Sequence, residues 1–136
     1  MNDVKSFVAD YLLHVWNEGA VDECDRFLMP TYTIHHDPGD PWDGKTLTLE
    51  EMKQRIRVSR APFPDQEFFI DMMLEDPNRV AVAWHWTGTF LADMPPFKAT
   101  GKVVSMTGIT IYYMEGERIA GHWQVVDRLS VVRQMK

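Results

Sequence analysis

An α+β fold, with helices packed on one face of a curved antiparallel sheet, follows from a change of period along the chain. Up to about residue 60 the apolar residues recur at helical spacing. From Phe68 onward they gather into β-branched and aromatic runs separated by turn residues. Helices first and strands afterwards is the α+β order, and 136 residues suit a single domain, 1–136, with one core.

Val4, Phe7, Val8, Tyr11, Leu12, Val15 and Trp16 share one helical face, which predicts an amphipathic helix capped by Asp3 and stopped at Gly19. A shorter helix is expected over Val21 to Leu28, closed by Pro30, and the two should form a hairpin. Tyr32 to His35 is β-prone, and the "HDPGDPWDGKT" after it reads as a long loop. Thr48 and Glu51 have capping-box spacing and open a third helix, with Leu49, Met52 and Ile56 on one face, running to about Ser59. Strands are expected at Phe68–Leu74, Val80–Leu91, Val103–Met114 and Arg118–Asp127. "VAVAWHWTGTF" and "MTGITIYYM" carry few polar residues on either face, so both sheet faces need cover. Helices cover one; a homodimer or higher homo-oligomer through the outer face is the simplest cover for the other.

A formal charge of −6 with scattered Lys and Arg argues against a nucleic-acid surface. Cys24 is the one cysteine, which excludes an intrachain disulfide, a CxxC motif and a Cys-rich zinc site. Its neighbours Asp22, Glu23 and Asp25 should raise its thiol pKa. The acidic, helical N-terminus is unlike a secretion signal and no apolar run reaches membrane-spanning length, so a cytoplasmic protein with no membrane partner is expected. There is no P-loop, GxGxxG or GxSxG. His35, His36, Asp37 and Asp40 could in principle hold zinc or iron, but no fixed-spacing motif supports this and no metal is predicted.

Strand parity sorts the remaining candidates. Without a bulge, Ile119, Gly121, Trp123, Val125 and Asp127 share one face of the last strand, and Ala120, His122, Gln124, Val126 and Arg128 the other. Asp127 has two readings: a strand-end acid in solvent, or a carboxylate at a pocket mouth, desolvated by an apolar face and made a better base toward a carbon acid. His35 or His36 can face a cavity between helices and sheet, where a neutral imidazole would polarise a carbonyl or hold a water. His85, between two tryptophans, reads as a satisfied buried or interface histidine. If some of the many aromatics line a cavity, the ligand is flat and largely apolar. Tyr32, Trp42, Trp86, Phe90, Tyr113 and Trp123 are the expected substrate-binding set.

The stretches "FVADYLLHVWNEGAVDECDRFLMPTYTIHHDPG", "APFPDQEF", "NRVAVAWHWTGTF" and "PPFKATGKVVSMTGITIYYMEGERIAGHWQVVD", with the closing "RQM", together resemble the SnoaL-like polyketide cyclases. These are the ester-cyclase-like proteins of the nuclear-transport-factor-2-like superfamily. The resemblance runs through nearly the whole chain. It implies a cone-shaped α+β barrel, three N-terminal helices on a strongly curved sheet around one deep pocket. It also implies cofactor-free acid–base chemistry on a hydrophobic carbonyl compound, an aldol cyclisation, isomerisation or related reaction, with an aspartate near the end of the last strand as general acid/base. That position is Asp127; His35 falls where a pocket histidine is common, and Trp123 matches the tryptophan of an "HW…D" signature. Phe90 stands where many relatives have histidine, and Gly121 where many have an acid. Either departure points to another substrate or to a binding protein without the chemistry. An Asp-Arg-Asp constellation of the epoxide-hydrolase kind is not evident in the sequence.

Overall fold

The computed structural model describes residues 3–136. Helix α1 (Val4–Tyr11) starts where Asp3 accepts the Lys5 amide, and runs on as a π-helical stretch, Leu12–Asn17. The widened turn lets Trp16 Nε1 donate to Tyr11 Oη at 3.0 Å. Arg60 donates to the Trp16 and Asn17 carbonyls, satisfying acceptors that the helix end leaves open.

The predicted second helix is cut short. After a 3₁₀ turn at Val21–Glu23, α2 covers only Cys24–Phe27, and Leu28 already opens strand β1 (Leu28–His36). Pro30 thus lies inside a strand, where the pairing with the last strand slips between Leu28 and Thr33; a residue without an N–H suits such a break. Strand β2 (Thr46–Thr48), not foreseen, leads into α3 (Leu49–Arg60), whose capping box forms as predicted: Glu51 N to Thr48 Oγ1 at 3.2 Å and Thr48 N to Glu51 Oε1 at 2.9 Å. The three N-terminal helices are therefore interrupted by two strands.

Strands β3 (Glu67–Asp76), β4 (Arg79–Thr89), β5 (Val103–Glu115) and β6 (Arg118–Val126) form the meander that the sequence predicts. The six-stranded order is β2-β1-β6-β5-β4-β3, with β1 and β6 parallel and the other pairs antiparallel. A closing helix, α4 (Arg128–Gln134), follows β6 and was not predicted. Val8, Val15, Ile34, Ile56, Val80, Val82 and Val104 are fully buried between helices and sheet. Each such side chain stabilises the fold by roughly 1.5–3 kcal/mol.

Two bulges decide what faces inward. On β6, Ile119 pairs with Met114 and Gly121 with Tyr113, so Ala120 is an extra residue. Ile119 and His122 are consequently both buried, while Trp123, Val125 and Asp127 turn outward. On β1, Ile34 pairs with His122 and His36 with Trp123, leaving His35 extra, and Asp37, which follows His36, is buried. Gly121 lies between them: a Cβ there would stand 2.2 Å from the Thr33 carbonyl oxygen, so only glycine lets β1 and β6 approach. This accounts for the departure noted at position 121.

The outer sheet face exposes Phe69, Met72, Leu74, Ile109 and Val125. Among the described residues no helix is long and apolar enough to cross a membrane.

Candidate active site

The inner face and the helices enclose a cavity of about 710 Å³. Its apolar wall is made by Leu12, Phe63, Phe68, Trp84, Trp86, Met106 and Met135, with Met94 and Phe97 from the β4–β5 loop. Val58, Ala92, Asp93 and Pro95 are lining residues that are also exposed, which places the mouth between α3 and that loop.

The opposite wall is polar. Tyr32, Asp40, Trp42, Arg55, His122, Gln124 and Arg128 line it, and Asp37 lies directly behind them, with no solvent exposure. Tyr32 Oη stands 2.6 Å from His122 Nδ1, and His122 Nε2 is 2.9 Å from Asp37 Oδ2. Because a carboxylate only accepts, Nε2 carries the proton, and Nδ1 receives the tyrosine hydroxyl. Asp37 also accepts from Gln124 Nε2 at 3.0 Å, Arg55 Nη2 at 3.3 Å and Arg128 Nη2 at 2.7 Å. Thr110 in turn donates to Gln124 Oε1 and so fixes the amide's direction.

Burial alone would raise the Asp37 pKa, but the hydrogen bond and charge of its partners outweigh it and hold the carboxyl below its ordinary range. Burial, helped by the nearby Arg55 charge, lowers His122, so its imidazole is neutral near pH 7. Burial pushes Tyr32 well above 10.0, so it remains a hydroxyl. The cluster is a hydroxyl, a neutral imidazole and a carboxylate in series. Such a series can take a proton and stabilise the cation that results.

The sequence profile of the SnoaL-like polyketide cyclases matches residues 6–135. The chain belongs to that family. The crystal structure of a candidate polyketide cyclase from Acidithiobacillus ferrooxidans is similar at 42% identity and TM-score 0.93, covering 97% of this chain and 93% of that one. A SnoaL-like polyketide cyclase from Agrobacterium tumefaciens is 22% identical with TM-score 0.78, each chain covered in full (100%). IdmH, a candidate polyketide cyclase from Streptomyces antibioticus, is 19% identical with TM-score 0.82 over 98% of each chain. These last two likenesses show the shared fold. No curated protein matches the chain significantly.

Within this SnoaL-like fold the sequence-predicted residues divide. Tyr32, Trp42 and Trp86 line the cavity. Asp127 does not: it is exposed and accepts the Ser130 amide at 3.1 Å as the N-cap of α4. The desolvating face expected for it is the outer one, because the Ala120 bulge reverses the parity of β6. His35 is exposed and packs on Tyr113 with ring centroids 4.7 Å apart, so both lie on the outer face, and Trp123 stacks on His36 there at 4.5 Å. Phe90 is fully buried against Phe63 behind the cavity wall. His85 is half-exposed and bonds Asp71. With His35 and His36 turned outward, the metal set considered from the sequence is split between two sheet faces. Cys24 is raised to about 11, chiefly by burial rather than by its acidic neighbours.

The sequence reading missed His122, Gln124, Arg128, Arg55 and Asp37 as site residues. It also missed an Asp-Arg-Asp arrangement, which exists in space: Arg55 Nη2 reaches Asp37 at 3.3 Å and Asp40 at 3.0 Å. Asp37, held ionised, cannot be the acid half of an epoxide-opening pair. Two signals were present in the chain. His122, Gln124 and Arg128 are polar residues of one parity, with Val126 between the last two, and Arg55 shares a helix face with Met52 and Ile56.

Proposed function

We propose that the protein is a cofactor-independent acid–base enzyme acting on a flat, hydrophobic, carbonyl-bearing molecule, with Tyr32, His122 and Asp37 as its proton relay. The unbroken chain of short contacts from Tyr32 through His122 to Asp37, at the wall of an otherwise apolar cavity, carries this reading. Tyr32 Oη takes a proton from a carbon beside a carbonyl as its own proton passes to His122 Nδ1. The imidazolium formed is held by the Asp37 carboxylate. The electron pair left behind delocalises onto the carbonyl oxygen as an enolate, which can attack a second carbonyl of the same molecule and close a ring by aldol addition. The new alkoxide then recovers the proton from the relay, so no co-reactant is consumed. Proton transfer of this kind supplies about 10²–10⁴-fold, and the apolar cavity strengthens each interaction with the developing charge.

A test needs no knowledge of the natural substrate. Wild-type protein should speed hydrogen–deuterium exchange at the carbon between the ring and the carbonyl of 2-tetralone, followed by proton NMR in D₂O. His122→Gln should lose that acceleration. Exchange no faster than in buffer would refute the reading. It would favour the second one, a non-catalytic binding protein for a hydrophobic small molecule, which the full satisfaction of Asp37 by four donors supports.

We also propose that a second copy of the chain covers the outer sheet face, on the strength of its exposed Phe69, Met72, Leu74, Ile109 and Val125. Light scattering at micromolar concentration should give a dimer or larger assembly; a monomer mass would contradict it. A cytoplasmic setting remains part of this proposal, supported by the single cysteine.

A further inference from the structure

Arg55 has more donors than its partners use. Arg55 is buried, only 5% exposed, and lines the polar wall of the cavity. Both of its ion pairs, to Asp37 and Asp40, are made by Nη2. Nε is enclosed and has no hydrogen-bond partner; among the described residues no hydrogen bond engages Nη1 either, and Nη1 is not sealed off as Nε is. Trp16 and Trp42 hold the guanidinium between them, its central carbon 5.6 and 5.8 Å from their ring centroids. Rings in such positions fix a cation without consuming its N–H groups.

The electrostatics around it are balanced. Within the cluster two carboxylates, Asp37 and Asp40, are matched by two guanidiniums, Arg55 and Arg128, and His122 is neutral. A buried guanidinium with spare donors beside an apolar cavity is set to meet a negative oxygen.

We propose that Arg55 Nη1 is the substrate-oxygen site: it binds the oxygen that bears, or acquires, negative charge, and so selects flat apolar ligands carrying an enolate, phenolate or carboxylate. This deepens the carbon-acid reading above, since the enolate formed when Tyr32 takes a proton would have its oxygen on Arg55. Its test is one of binding alone, so it fails or stands separately from the exchange experiment.

The probes are 2-naphthoate and 2-naphthamide, which share a shape and differ in charge. Binding is followed by calorimetry and by quenching of the tryptophan fluorescence to which Trp16 and Trp42 contribute. Wild-type protein should bind the carboxylate about tenfold or more tightly than the amide. The preference should shrink in Arg55→Lys, which keeps the charge but loses the planar donor set. It should vanish in the charge-conserving pair Asp40→Asn with Arg55→Gln, once circular dichroism shows that variant folded. Equal affinity of wild type for the two probes, or no measurable binding of 2-naphthoate, would overturn the proposal. So would a preference that survives both Arg55 variants and disappears in Arg128→Gln.

Discussion

Asp37 and Asp127 each follow the end of a strand, β1 and β6, which lie side by side and parallel, yet their surroundings are opposite. Asp37 is sealed from solvent and accepts from His122, Gln124, Arg55 and Arg128; Asp127 is exposed and accepts from the Ser130 amide in the first turn of α4. One inserted residue in each strand, His35 and Ala120, produces the difference by turning the following side chains over. An acid's position in a sequence says little about its chemistry until the strand's pleat is known, because a one-residue slip exchanges the two faces.

That contrast can be broken experimentally. The largest effect belongs to Asp37→Ala, which takes the shared acceptor from His122, Gln124, Arg55 and Arg128, leaves Arg55 only Asp40, and should destabilise the protein by about 3–5 kcal/mol in chemical denaturation. Next comes Gly121→Ala, which drives a methyl into the Thr33 carbonyl, forces β1 from β6 and should cost about 3 kcal/mol. At the other aspartate, Asp127→Ala should cost about 1 kcal/mol, the value of one N-cap, and Asp127→Asn almost nothing because asparagine caps as well.

Acid sharpens the comparison further. The folded pKa of His122 lies below its free value of 6.5, so as pH falls through 6.5 the unfolded chain gains a proton before the folded one does and stability declines. Asp37 is lowered from 3.8, so its contribution is present above that value and is lost as pH falls below it, through the folded value. A denaturation series over pH should show both declines in wild type and only the lower one in His122→Gln. Asp127→Asn should leave the two declines in place.

Much of this fold was legible in the chain. The helical spacing from Val4 to Trp16, the Thr48–Glu51 capping box and the four long strands are local patterns that tertiary packing did not override. Strand β2 has only three residues, α4 only seven, and the Cys24–Leu28 segment trades helix for strand where β6 offers a partner, so none had a period long enough to read. The site was less legible for a related reason. Tyr32 and Trp42 could be named as aromatics, but the inward turn of His122 and Asp37 depends on which residues pair across strands some 90 positions apart. The sequence holds Ala120 and His35 without marking them as the residues left unpaired.

The most direct measurement is the rate of carbon–hydrogen exchange in 2-tetralone, determined side by side for wild type, Asp37→Asn and Asp127→Asn, each shown to be folded. The relay account predicts that Asp127→Asn exchanges at the wild-type rate, while Asp37→Asn, deprived of the carboxylate that orients His122 and holds its charged form, falls by about 10²-fold or more. Loss of exchange in Asp127→Asn with retention in Asp37→Asn would contradict it and return the chemistry to the outer end of β6.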